Sequence, residues 1–541
     1  MTGTMAEALA ADWQRLDPRM LAVTPLRQLA GFLPVIAVVF VLGGQDLDGR
    51  FFGLLVGVAA VVLVGMLRWL TTRYRITPER VELRSGLLFR SARSIPRDRI
   101  RSVDLTAGPV HRVFGLSVVK VGTGEHAEGI ESRELTLDAV SAAEADRLRQ
   151  LLLHRLGAAD RAGALPGPGF PAGAGTPFAA GAPAGVGSAP GARGGAGTET
   201  ELGRLDWSWL RFAPLTVSSL AAVGAVAGAF IQFVGELGVE PAQVAELGGV
   251  SERLSAAPLW LGITVLALAV LVIAVLGALL IFVEAWWGFR LVREPGTLRI
   301  RRGLLTARSV SLEERRLRGV EVTEPLLIRV GHGARLVAVA TGLGDGPSHG
   351  RGALLPPAPL DEAHRVAGLV LAEDPPATRA PLRRHPPAAL RRRLVRAVLP
   401  VLLVAAVLGL APALGLPGWL GWAALGLLPV TVLLALDAYR NLGHALTEGY
   451  LVARHGPGMR RTVALQRSGV IGWTVRQSPL QRLAGLVTLT ATTAAGSGAY
   501  QVYDVGTAEG LAVAEQAVPG LLTPFLHRHP VGAPVARSAA G

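Results

Sequence analysis

One motif occurs three times in this chain, and that repetition constrains the fold more than any other feature. The first copy runs Tyr74-Arg-Ile-Thr, then Ser85-Gly-Leu-Leu, then Ser94-Ile-Pro-Arg-Asp-Arg-Ile-Arg-Ser-Val103. The second runs Phe289-Arg-Leu-Val, then Arg302-Gly-Leu-Leu, then Ser311-Leu-Glu-Glu-Arg-Arg-Leu-Arg-Gly-Val320. The third runs His444-Ala-Leu-Thr, then His455-Gly456, then Ala464-Leu-Gln-Arg-Ser-Gly-Val-Ile-Gly-Trp473. Gly86 to Ile100, Gly303 to Leu317 and Gly456 to Val470 are each 14 residues apart. Pro109 and Gly115 recur 370 residues later as Pro479 and Gly485, while Pro325 sits one residue out of step. Val81 and Leu83 alternate with Arg80, Glu82 and Arg84, which is the period of a strand with one buried face. Gly86, Gly303 and Gly456 fall where a hairpin must turn, often with positive φ. Further strands are expected at Leu116–Val121, Leu336–Ala340 and Leu486–Thr490. Ser141 and Glu144 form a capping-box pattern ahead of Leu148, Leu151 and Leu152, and Asp361 is placed to cap the matching helix of the second copy. Each copy therefore reads as a β-rich unit of about 80 residues closing with one helix.

The rest of the hydrophobic sequence lies between the copies. Half of the residues are hydrophobic and mean hydropathy is +0.42, while aromatics make up only 5%. Apolar runs at 29–44 and 51–70, at 212–234 and 259–287, and at 394–415 and 419–436 predict six spans in three hairpins, one before each copy. The turn after the first run holds Asp46, Asp48 and Arg50. The loop 235–258 holds Glu236, Glu240, Glu246, Glu252 and Arg253. Net charge over the whole chain is +14, so the positive sequence lies outside these turns and both termini are expected in the cytoplasm. Positive-inside topology is the simpler account of that charge. Glu284 and Asp437 lie only at the ends of the runs, so a transport pathway is the weakest reading.

The expected organisation is a tail over 1–28, a hairpin over 29–70 and a first β-rich domain over 71–156. A Gly/Ala/Pro linker over 157–206 follows, then a second hairpin over 207–287 and a second domain over 288–374. A basic connector over 375–393, a third hairpin over 394–436, a third domain over 437–526 and a tail over 527–541 complete it. The chain has no cysteine, which excludes disulfides and thiolate chemistry. Gly122-Thr-Gly124 followed by Gly129 lacks the spacing of a nucleotide fingerprint, and His126 with Glu125 and Glu128 reads as a solvated loop. No catalytic residue, cofactor or metal ligand is assigned, and the chain is expected not to be an enzyme.

Two apolar runs, Tyr-Arg-Ile-Thr at 74–77, the Gly-Leu-Leu turn, Ile-Pro-x-x-x-Ile-x-Ser-Val at 95–103 and Phe114-Gly-Leu resemble the bacterial pleckstrin-homology (PH) domain of the YdbT-like membrane proteins, also called the membrane-flanked domain. The resemblance is good for copy 1, moderate for copy 2, and rests mainly on spacing for copy 3. It implies a PH-like fold of two packed antiparallel sheets with a C-terminal helix, at the cytoplasmic face of a bacterial plasma membrane. It also implies a smaller sister PH-domain membrane protein as partner. It supplies no biochemical activity. The function expected is a membrane scaffold or sensor whose three domains bind partner proteins or each other, in a homo-oligomer or with a sister PH-domain protein, with membrane lipids around it and no nucleic acid. Anionic-lipid binding or envelope lipid handling is the alternative. Arg97, Arg99, Arg101 and Arg112 are the candidate contact residues on copy 1.

Overall fold

The computed structural model describes chiefly residues 13–21, 69–77, 79–85, 91–96, 102–122, 135–149, 199–216, 259–342, 352–410 and 417–525. Copy 1 contributes strands β1 (Gln14–Arg15), β2 (Arg73–Ile76), β3 (Arg80–Ser85) and β4 (Ser91–Pro96), then β5 (Ser102–Ala107), β6 (Leu116–Gly122) and β7 (Leu135–Ser141). Copy 2 contributes β8 (Thr200–Arg204), β9 (Arg290–Glu294), β10 (Thr297–Arg302) and β11 (Ala307–Glu313), then β12 (Leu317–Pro325), β13 (Gly333–Ala340) and β14 (Ala353–Pro359). Copy 3 contributes β15 (Gly443–Leu446), β16 (Tyr450–His455) and β17 (Met459–Gln466), then β18 (Val470–Arg476), β19 (Leu486–Thr493) and β20 (Ala499–Gly506). A short helix precedes β6, β13 and β19 in turn, at Pro109–Val113, Leu326–Val330 and Pro479–Leu483.

Each copy splits into an N-terminal and a C-terminal half-sheet. One core serves both halves of copy 1, from Tyr74, Val81 and Ile95 to Val103, Val119 and Leu137, with Ala145 and Leu148 of the closing helix. The half-sheets do not stop at the copy boundary. The sheet orders are β1-β2-β3-β4, β7-β6-β5-β11-β10-β9-β8, β14-β13-β12-β17-β16-β15 and β18-β19-β20. The C-terminal half of each copy thus joins the N-terminal half of the next, and the three units form one array.

Local expectations fare unevenly. Gly303 and Gly456 do turn their hairpins with φ of +107° and +116°, where a Cβ would lie 2.0 Å from the Thr306 or Met459 carbonyl oxygen. Gly86 lies outside the described residues. The Ser141 hydroxyl accepts from the Glu144 amide at 3.3 Å, half of the expected capping box. Asp361 does not cap its helix; the N-cap is Pro359, and Asp361 sits in the first turn paired with Arg379. β1 comes from the sequence read as a tail and β8 from the end of the linker. Both precede their apolar runs and pair with the strand that follows them.

The six-span expectation is overturned. Among the described residues one helix, Trp419–Arg440, is long and apolar enough by length and composition to cross a membrane. The helix Pro387–Gly409 carries Arg391, Arg392, Arg393 and Arg396 in its first turns and Pro400 inside, which shortens its apolar part. Phe212, read as the start of a span, is fully buried in the core of copy 2, where a Cβ on Gly333 would lie 2.5 Å from its ring. The runs at 29–44, 51–70 and 213–234 fall largely outside the described residues.

Candidate functional site: the seams between copies

β5 pairs antiparallel with β11 from Ser102↔Leu312 to Ala107↔Ala307, and β12 pairs with β17 from Gly319↔Leu465 to Pro325↔Met459. Counted from the turn glycines, the two registers are identical. Ser102 and Gly319 lie sixteen residues past Gly86 and Gly303; their partners Leu312 and Leu465 lie nine past Gly303 and Gly456. Register on a half-buried sheet is fixed by which side chains face the core, because a slip of one residue inverts them all. The equal registers follow from the equal apolar spacing of the copies. Val103 and Leu105 in β5, and Val320 and Val322 in β12, are all buried. At Gly319 the ladder to β13 bulges, and a Cβ there would lie 2.1 Å from the Ala464 carbonyl oxygen.

Arginine–carboxylate pairs seal both seams. Glu294 of copy 2 accepts from Arg149 of copy 1 at 3.1 Å and from Arg299 at 3.3 Å, and Arg299 reaches Asp146 of copy 1 at 3.1 Å. Burial alone would push the Glu294 carboxyl up, but Arg149 and Arg299 hold it below the usual carboxylate range. At the second seam Arg460 is paired with the buried Glu324. Breaking such a buried pair from one side typically costs about 3–5 kcal/mol, because a charge is left without its partner.

A second device ties each seam to the preceding helix. Glu284 accepts from the Leu305 and Thr306 amides in the β10–β11 turn, and Asp437 accepts from the Gly458 amide in the β16–β17 turn. Both acids lie nineteen residues before their turn glycine. Arg329 of copy 2 crosses to Asp437 at 2.6 Å. Arg112, one of the four candidate contact residues, is exposed, but its guanidinium donates to the Leu304 carbonyl in the corresponding turn of copy 2. It is therefore a link within the chain. Arg97, Arg99 and Arg101 lie outside the described residues.

A cavity of about 550 Å³ opens between the Pro387–Gly409 helix, the Leu428–Arg440 helix and copy 3. Arg392, Arg393, Arg396, His455, Tyr503 and Asp504 supply its polar wall, and Leu434, Ala435 and Ala438 its apolar wall. Asp504, fully buried and in left-handed backbone with φ +54°, is clamped by Arg392 and by Arg393 at 3.1 Å, and accepts from Gln481 at 2.9 Å. Burial, reinforced by Arg461 and Arg393, pushes His455 down to about 4, so it is neutral at physiological pH. Among the described residues, Arg392 Nε and His455 Nδ1 are buried without a hydrogen-bond partner.

The profile of the family described as "Bacterial PH domain" matches residues 25–156, 242–374 and 395–516, together well over half of the chain. The chain belongs to that family. Each match starts after β1 or β8 where these exist but ahead of β2, β9 or β15, so it takes in sequence that precedes those strands. The UPF0699 transmembrane protein YdbT of Bacillus subtilis (strain 168) is 30% identical over 109 residues, 20% of this chain and 22% of that protein. The UPF0699 transmembrane protein YdbS of the same organism is 27% identical over 96 residues, 18% of this chain and 56% of that protein. The aligned regions thus cover less than two thirds of either relative. No solved structure matches. The likeness to transmembrane proteins makes this a membrane-associated PH-domain protein. The seam residues escaped the sequence reading except for one available signal: Glu284 and Asp437 stand at the same distance from their glycines.

Proposed function

We propose that this chain is a scaffold at the cytoplasmic face of the bacterial plasma membrane, using its PH-like units to hold proteins rather than to catalyse a reaction. The observation that carries this reading is the pair of seams. These units recognise other units of their own kind through strand addition, a mode in which the main chain supplies affinity and side-chain register supplies specificity. The units are thus built to bind protein, and the membrane anchors the array. The test is gentle detergent purification of the tagged full chain from its own membrane, with mass spectrometry of what stays bound. A stoichiometric protein, whether this chain or another, supports the scaffold. Recovery of lipid alone with a monomeric chain overturns it.

A second reading, recognition of an anionic lipid, is favoured by the cavity. Three arginines converge there beside an apolar wall, and juxtamembrane arginines gain about 1 kcal/mol each from anionic headgroups. Arg396 lines the cavity without taking part in the Asp504 clamp. Arg396→Glu is expected to lower co-purifying anionic lipid several-fold while leaving the protein folded. Unchanged lipid content would remove this reading.

A further inference from the structure

Among the described residues, two counterparts of the seam strands remain at sheet edges, β18 and β4. β18 belongs to a three-stranded sheet with β19 and β20, and no described strand pairs with its other side. β18 is the copy-3 counterpart of β5 and β12, the strands that form the two seams. At the other end of the array β4, the copy-1 counterpart of β11 and β17, is the edge of the first sheet. One chain thus carries both halves of a third seam on separate sheets.

Three features show that the β18 edge retains the form of a seam. The first is burial. Leu105 and Val322, nineteen residues past their turn glycines in the two strands that form seams, are 8% and 0% exposed; Val475, at the same place in β18, is 42% exposed. Ile471, four residues earlier on the same strand, is 65% exposed. The second is the bulge. Gly472 matches Gly319 in position and sits at the same ladder irregularity, here between β18 and β19. At Gly319 the neighbouring strand leaves no room for a Cβ, whereas at Gly472 the nearest atom is 3.9 Å away. The third is the linking arginine. Arg112 and Arg329 lie twenty-six residues past their turn glycines and reach toward the turn of the next copy. Arg482 holds the same place in copy 3, exposed and without a side-chain partner among the described residues.

We propose that β18 of one chain adds to β4 of a second copy of the same chain, in the register of the two internal seams. Gly472 would then face Ile95, Trp473 would face Ser94, Thr474 would face Arg93, and Val475 would be covered. The proposal rests on the scaffold reading and names its partner. Such a contact is heterologous, so repeating it produces a ring or a filament along the membrane rather than a closed two-fold dimer. Copy 1 carries Leu67 where Glu284 and Asp437 stand in the other copies, so Arg482 would have a turn carbonyl to reach, as Arg112 does.

The absence of cysteine makes the test clean. Two full-length forms with different tags, one Thr474→Cys and the other Arg93→Cys, are co-expressed and oxidised mildly in the membrane. Facing residues of paired strands lie about 4.5–5.5 Å apart at Cα, within disulfide range. A cross-linked heterodimer is expected with this pair and not with Thr474→Cys and Glu82→Cys, because β3 is internal to its sheet. In parallel, the mass distribution of the unmodified chain in nanodiscs should include multiples of the chain. Val475→Lys should weaken association at least about tenfold, equivalent to about 1.4 kcal/mol. No heterodimer together with a monomeric chain insensitive to Val475→Lys overturns the proposal. Capture of a different PH-domain protein by Thr474→Cys also overturns it as to partner, while leaving the scaffold standing; recovery of lipid alone removes both.

Discussion

His385, His444 and His455 sit where a positive charge has little to offset it. His385 Nε2 and His444 Nδ1 share a hydrogen bond of 3.0 Å, with the rings 5.1 Å apart. Burial pushes both down to about 4, helped for His385 by His444 and for His444 by Arg383. Glu509 lies 3.7 Å from His444 Nε2. His455 is driven down to the same value by burial in the cavity wall. In the unfolded chain these groups titrate near 6.5, so there the unfolded state binds protons that the folded state refuses. Their contribution to stability is therefore intact above about pH 6.5 and is lost progressively as pH falls toward 4. At pH 5 the loss should be on the order of 1–2 kcal/mol per histidine. Thermal unfolding followed by tryptophan fluorescence should show a midpoint that falls between pH 7 and pH 5. His444→Gln should flatten that fall, because it removes one titrating group and relieves its partner. A midpoint independent of pH over this range would show that the folded protein accepts these protons without strain.

A strand that pairs across a seam meets constraints that a strand inside one copy does not. Gly319 is the clearest case, since any Cβ collides with the Ala464 carbonyl. Gly319→Val should open the seam between β12 and β17 and cost about 1–3 kcal/mol, as overpacking does in a tight core. Gly472→Val, in open space, should leave the folded chain's stability unchanged within about 0.5 kcal/mol. Comparing the two by chemical denaturation separates a seam effect from general β-sheet preference. Strand existence, the turn glycines and the closing helix of copy 1 were legible in the sequence, because alternation and glycine conformation are local properties. Strand partners were not. The same alternation satisfies pairing within a copy or across copies, and only assembly of the whole array chooses between them. Phe212 was misread for a related reason: an apolar residue at the edge of a long apolar run carries no mark of whether lipid or a neighbouring sheet covers it. The link of the exposed Arg112 to the Leu304 carbonyl was not legible either, because that carbonyl lies in another copy.

Joining half-sheets across copies changes how the molecule as a whole must fold. A PH-like unit with both its sheets to itself could fold alone. Here the middle copy shares one sheet with copy 1 and the other with copy 3. Its core also draws on Leu202, Trp209 and Phe212, which precede the Leu259–Trp286 helix, and on Ala445, Val452 and Ala464 of copy 3. A fragment covering only 288–374 would lose those side chains, leave the edges of β11 and β12 open, and strip Glu294 and Glu324 of their partners Arg149 and Arg460. Combined, these losses are comparable to the net stability of an ordinary domain, about 5–15 kcal/mol. Such a fragment should therefore show no cooperative unfolding transition. In the full chain, the amides of β5 and β11, and those of β12 and β17, should exchange with solvent through common openings, because neither strand of a seam can leave without exposing the other. Hydrogen exchange measured by mass spectrometry on the detergent-solubilised protein checks this directly. Matching protection across both seams would identify the array as the folding unit, whereas a fragment of copy 2 that melts cooperatively would make the units separable and the seams mere docking contacts.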